Sequence, residues 1–181
     1  EFKVVSDTFT LSVANINDAP FLASPLPDIQ TMEDQAFEFT IPTTTFTELD
    51  VGDVLQYSAE LADGSLLPDW IRFNPVSGQF SGTPRNSDVG EINIRVTASD
   101  GQRTASDLFA LNVENINDAP TVDTRIGPQF FSGGGEQRLT LAKTVFSDVD
   151  DSALVLSATL EGGGPLPGWL SFDPTSRTFS G

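Results

Sequence analysis

Oxygen is the only metal-binding or acid–base atom this sequence supplies in quantity. It has 26 aspartate and glutamate residues against nine lysine and arginine residues, with no histidine and no cysteine. Without imidazole or thiolate there is no Ser-His-Asp relay and no ordinary zinc site. What remains is carboxylate chemistry, either an acid pair of the kind that cleaves glycosides or a cage for a hard divalent cation. The spacing of the acids decides between them. Asn15-Ile16-Asn17-Asp18-Ala19-Pro20 returns letter for letter at Asn115-Ile116-Asn117-Asp118-Ala119-Pro120, 100 residues on. Acids that recur at a fixed period are not gathered in one cleft, so we expect no enzyme.

The elements between the copies must hold these residues in place, and they read as strands. A polar hexapeptide closed by proline does not suit a strand interior, and 100 residues is about one β-sandwich, so the hexapeptides read as joints between domains. Phe37, Phe39 and Ile41 alternate with polar neighbours, as do Leu55, Tyr57, Ala59 and Leu61, and then Ile92, Ile94, Val96 and Ala98. That period of two is a half-buried strand, and no useful stretch shows a helical period. The chain is all-β. Residues 1–14, with Phe9, Leu11 and Val13 alternating, read as the last strand of a preceding repeat. Residues 15–20 are a joint, 21–114 a complete repeat and 115–120 a second joint. Residues 121–181 repeat the pattern and stop at Phe179-Ser180-Gly181, the counterpart of Phe80-Ser81-Gly82, without the last two strands. Such a part should be disordered or completed by another chain, for instance by head-to-tail donation of residues 1–14.

Chain direction then decides which loops meet. If the final strand runs away from the first joint, the turn before it, at Asp100, lies beside Asn15–Asp18. The same logic brings the acidic loop Glu48-Leu49-Asp50-Val51-Gly52-Asp53 to that end. The expected ligands of the first joint are Asn17, Asp18, Asp50, Asp53 and Asp100, with Asn15 and Glu48 beside them. Those of the second are Glu33, Asp34, Asn117, Asp118, Asp148 and Asp150. It lacks a counterpart of Asp100 and should bind more weakly. Clustered carboxylates repel one another unless a cation sits among them. Calcium suits a flexible set of carboxylate and amide oxygens better than magnesium does, and transition metals want nitrogen or sulfur.

A net charge of −17 argues against nucleic acid or an anionic membrane surface as partner. No apolar run approaches the length of a membrane span. The absence of cysteine is compatible with a bacterial exoprotein stiffened by metal instead of disulfides. Gly162-Gly163-Gly164 has no following helix or lysine and does not read as a phosphate loop.

The joints, Glu48-Leu49-Asp50, Asp148-Val149-Asp150 and Ala98-Ser99-Asp100-Gly101 together resemble the dystroglycan-type cadherin-like repeat of bacterial surface and secreted proteins. The stretch Leu67-Pro68-Asp69-Trp70-Ile71-Arg72-Phe73-Asn74-Pro75, continued to Pro84, is the most specific part of that likeness. Asn15 and Asn115 stand where cadherin joints usually open with aspartate, and Ala153 stands where the first loop has Asp53. The resemblance implies tandem seven-stranded Greek-key β-sandwiches of immunoglobulin-like kind, with calcium between neighbouring repeats. It also implies a place outside the cell or on its surface, and a role in calcium-dependent adhesion, to like molecules or to a polysaccharide. The alternative is a carbohydrate-binding module attached to a secreted polysaccharide-degrading enzyme. Trp70 and Trp169, each with a phenylalanine three residues on, are spaced as core residues and are expected to be buried.

Overall fold

The computed structural model describes residues 2–130 and 133–181. Glu1, which opens the expected strand 1–14, and Phe131 and Ser132, within the expected repeat 121–181, lie outside the described residues. The chain divides into two compact units, Glu1–Asn115 and Ile116–Gly181.

Alternation of apolar and polar residues builds the first unit. One sheet has four strands, β2 (Ile29–Met32), β5 (Gln56–Leu61), β8 (Gly90–Ser99) and β9 (Thr104–Glu114), in the order β2-β9-β8-β5. The other has three, β3 (Phe37–Thr40), β6 (Ile71–Asn74) and β7 (Gln79–Gly82), in the order β3-β7-β6. A two-residue ladder joins β1 (Phe21–Leu22) to β4 (Phe46–Thr47). All pairings are antiparallel except β2 with β9, where Ile29 lies opposite Leu111. The two main sheets thus supply seven strands, as the sandwich reading expects.

The core lies between the sheets. Ile94, Val96, Ala98, Phe109 and Leu111 come from the four-stranded sheet, and Phe37, Ile71 and Phe80 from the three-stranded one. Phe80 is fully buried and contacts Phe39, Phe73 and Phe109 ring to ring. Each such side chain taken out of water contributes about 1.5–3 kcal/mol, so the packed rings, not the short ladders, hold the sheets together. β8 and β9 form one long hairpin whose turn, Asp100–Arg103, needs a left-handed residue at Gly101 (φ 96°). That hairpin is what carries Asp100 to the joint.

The leading segment departs from its alternating pattern. Among the described residues before Phe21 there is no strand, and Phe9 is 90% exposed. Alternation makes a strand only where a neighbouring edge takes up the backbone hydrogen bonds, and no such edge meets this segment.

In the second unit β11 (Arg138–Thr140), β13 (Ser171–Asp173) and β14 (Thr178–Ser180) form the sheet β11-β14-β13. β10 (Thr121–Val122) pairs with β12 (Phe146–Ser147). These reproduce β3-β7-β6 and β1-β4. The ring pair repeats too: Phe172 and Phe179 lie 4.6 Å apart, Phe73 and Phe80 4.5 Å. Leu154, Leu156, Ala158 and Leu160, expected as a strand, pair with nothing among the described residues. In the first unit the equivalent strand β5 pairs along its whole length with β8. Among the described residues no helix is long and apolar enough to cross a membrane.

Candidate functional site

The acidic loop of the first unit is shaped by its own first carboxylate. Glu48 Oε1 accepts from the backbone N–H groups of Leu49 (2.7 Å) and Asp50 (2.9 Å), a local turn that swings Asp50 inward. Asp50 is buried, and its two oxygens reach the joint. Asn15 Nδ2 donates to Oδ1 (2.5 Å) and the backbone N–H of Asp18 donates to Oδ2 (2.7 Å). The hairpin turn approaches the same segment. Asp100 Oδ1 accepts from the N–H groups of Gln102 and Arg103, both at 2.6 Å, which leaves Oδ2 to accept from Asn17 Nδ2 at 3.0 Å. Gln102 Nε2 in turn donates to Asn17 Oδ1 (3.0 Å).

Two stretches distant in sequence therefore close around Asn15–Asp18. They meet through the asparagine amides and the Asp18 backbone, not carboxylate against carboxylate. Among the described residues of the first unit, no three carboxyl groups bring oxygens within 4.8 Å of one another. Asp53 stands apart from this network: its N–H donates to the Asp50 carbonyl (3.3 Å) and its side chain is exposed. Gln102 is a site residue that the sequence reading does not reach. The available signal is its place just after Asp100-Gly101, in a turn already directed at the joint.

The hydrogen bonds also act on acidity. The N–H groups of Arg103 and then Gln102, and next the Asn17 amide, hold the Asp100 carboxyl below the ordinary carboxylate range.

The second unit repeats half of this arrangement. Asp148 Oδ1 accepts from Asp150 N–H (2.9 Å) and Asp151 N–H (3.0 Å), and Asp150 Oδ2 accepts from the N–H of Asp118 (2.5 Å). Asn117 Nδ2 bonds the carbonyl of its neighbour Asp118 (2.7 Å), as Asn17 does that of Asp18 (2.9 Å). Glu33 and Asp34, expected at the second joint, stand in the first unit just past β2. The Glu33 N–H donates to the Glu114 carbonyl (3.0 Å) and its side chain is fully buried. Asp34 is exposed, left-handed (φ 57°), and bonded through its N–H to the Pro84 carbonyl.

Does the first-joint cluster fit a divalent ion? Two observations favour it. Glu48 Oε2 is buried and has no hydrogen-bond partner among the described residues, an acceptor that water does not reach. The groups that meet there are carboxylates and side-chain amides, and an amide turned over presents oxygen where it now presents nitrogen. The residues fit.

The tryptophans differ from their expected burial. Trp70 is half-buried, edge-on to Phe37 at 5.8 Å, and packed so closely on Gly82 that a Cβ there would lie 2.1 Å from the Trp70 carbonyl. Trp169 makes the matching contact with Gly181, yet is 67% exposed. The repeated glycine is thus required by the tryptophan turn in both units. Trp70 is flanked by the stretch from Ser87 to Ile92.

The first unit is a β-sandwich and the second is all-β, and the sequence comparison agrees. The chain matches the profile of the family described as "Putative Ig domain" over residues 19–114 and again over 119–181. It belongs to that immunoglobulin-like family. No curated protein sequence matches it significantly. Among solved structures it is similar to an endo-fucoidan hydrolase of glycoside hydrolase family 107, with 20% identity over 90% of this chain and 24% of that one, at a TM-score of 0.47. It is also similar to the human desmocollin-1 ectodomain, with 19% identity over 61% of this chain and 22% of that one, at 0.40. The titin domains Z1Z2, solved with telethonin, match at 12% identity over 92% and 81%, at 0.43. The chain spans a quarter or less of the glycosidase structures that it matches. Likenesses of this extent carry no argument about function.

Proposed function

We propose that this chain is part of a run of cadherin-like repeats, of the dystroglycan type, in a large extracellular protein. Calcium held at the joints keeps successive repeats in line, and the protein serves calcium-dependent adhesion, to like molecules or to a polysaccharide, without catalysis of its own. The supporting observation is that Asn15–Asp18 is gripped by Asp50 and Asp100 from two separate loops, with the Asp18–Asp50 link reproduced as Asp118–Asp150. In the first unit Asn15, Asn17, Asp18, Glu48, Asp50 and Asp100 would hold the ion. The ion supplies positive charge, which lets these carboxylates approach without repulsion. The rest is the chain's own work: the Glu48 turn aims Asp50, and the Gly101 hairpin aims Asp100.

A ligand that binds only the folded state raises stability by about 2.7 kcal/mol at a hundredfold excess over Kd. Calcium should therefore raise the melting temperature of the first unit by several degrees relative to chelator, and Asp50→Ala should remove that difference. Identical melting curves in calcium and chelator would end this reading.

A further inference from the structure

A groove of about 770 Å³ on the first unit touches none of the joint residues. It lies over the outer face of β3-β7-β6. Glu38 and Arg72 flank Ser81 across that sheet in register, and all three point away from the phenylalanine core. Trp70 forms one wall. Its ring is fixed by Phe37 and Gly82, and Trp70 also lines an adjoining groove of about 240 Å³ that shares Pro68, Ser87 and Asp88 with the first.

Three further charged groups line the same cleft: Asp69, Arg85 and Asp88. Arg72 and Arg85 are two of only nine basic residues in a chain of net charge −17. Among the described residues the ion pairs are Arg95–Glu60 and Arg138–Glu136, so neither groove guanidinium is neutralised by one. The cleft therefore interleaves two forks of donors with three carboxylate acceptors at nearly balanced charge, beside a rigid aromatic surface.

That combination selects a ligand rich in hydroxyl groups and without net charge. A polyanion would meet three carboxylates and the field of the whole chain, and a basic peptide would meet two unpaired guanidiniums. A pyranose has an apolar face for an indole and hydroxyls that both donate and accept. We propose that this groove binds a neutral saccharide, its ring against Trp70 and its hydroxyls shared between Arg72 and Arg85 on one side and Glu38, Asp69 and Asp88 on the other. The site is independent of the calcium reading, since none of these residues is a candidate ligand of the ion.

The test uses the full chain with Trp169→Phe, which leaves Trp70 as its one indole. It is titrated with soluble oligosaccharides of β-1,4-glucan, β-1,4-xylan, β-1,3-glucan and α-1,4-glucan while Trp70 emission is followed. A saturable change with at least one of them is expected. Its affinity should fall about tenfold or more in Arg72→Ala/Arg85→Ala, the scale of a lost charge-assisted hydrogen bond. Both positions are exposed, and an unchanged thermal melt checks that the fold survives. Asp69→Ala, a third exposed change, should weaken binding in the same direction. No saturable change with any of the four, undiminished binding in the double arginine variant, or preference for a sulfated or uronate oligosaccharide would overturn the assignment.

Discussion

The two units make one motif twice under different support. In both, the sequence from the tryptophan turn to the final Phe-Ser-Gly folds to the same hairpin and pairs with the same earlier strand into a three-stranded sheet, with the same ring pair and the same close glycine. In the first, β8 and β9 close the other side, and Phe80 is fully buried. In the second, nothing among the described residues pairs with residues 154–160, and Phe179 is only half-buried. The sheet and the Asp118–Asp150 link thus form without a long hairpin beside them, while burial and the Asp100 arm come with it. Local hydrogen bonds set the shape of the joint; packing across the sandwich sets its rigidity.

The largest expected effect breaks that comparison at the core. Phe80→Ala should cost the first unit about 3–5 kcal/mol, by lost transfer energy plus a cavity. Phe179→Ala should cost the second only about 1–2 kcal/mol, because less area leaves water. Denaturant unfolding read from single-tryptophan variants, Trp70 for one unit and Trp169 for the other, separates the two. Equal losses would mean that the units are equally packed.

The joints offer a middle-sized contrast. Asp50→Ala leaves the Asn15 amide and the Asp18 N–H without their shared acceptor, which should cost about 1–2 kcal/mol. Asp150→Ala removes the acceptor of the Asp118 N–H and should cost less. Hydrogen exchange at the Asp18 and Asp118 amides reads each directly, and faster exchange is expected at each in its own variant.

The smallest effect is a difference in pH response between matching turns. Asn74 Oδ1 accepts from the N–H groups of Val76 and Ser77, while its counterpart Asp173 takes a bond from the Ser176 hydroxyl and one from Thr175 N–H. Those two bonds, the hydroxyl first, hold the Asp173 carboxyl below its ordinary value of 3.8. Because the folded value is depressed, its stabilising contribution is complete above that ordinary value and is lost as pH falls through the folded one. Thr175 and Ser176 amide shifts should therefore move with acid titration, whereas those of Val76 and Ser77 should show no local inflection. Asp173→Asn should abolish the difference.

Much of this was legible in the sequence because strand alternation and turn residues are signals carried within a few residues. Alternation located β3, β5 and β8, and the acid–glycine pair at Asp100 located the hairpin turn. Chain direction correctly brought Asp50 and Asp100 to Asn15–Asp18. The identity of the bridging atoms was not legible. Whether an asparagine amide or a carboxylate fills a gap depends on ångström-scale loop geometry, and so Gln102 went unseen while Asp53 stands aside. Alternation also overstated the strand at 154–160, since a pattern of side chains cannot reveal whether a backbone partner is present. Trp169 shows the same limit: its motif matches that of Trp70, but its exposure is set by what flanks it.

The most direct measurement is a calcium titration of the full chain followed by the Asp18 backbone and Asn17 side-chain amide resonances. Extracellular calcium modules bind in the range of about 10⁻⁴–10⁻³ M. Saturable shifts at both amides within that range, absent in Asp50→Ala, are the predicted result. Resonances unmoved up to about 10 mM calcium, well above that affinity range, would contradict the account.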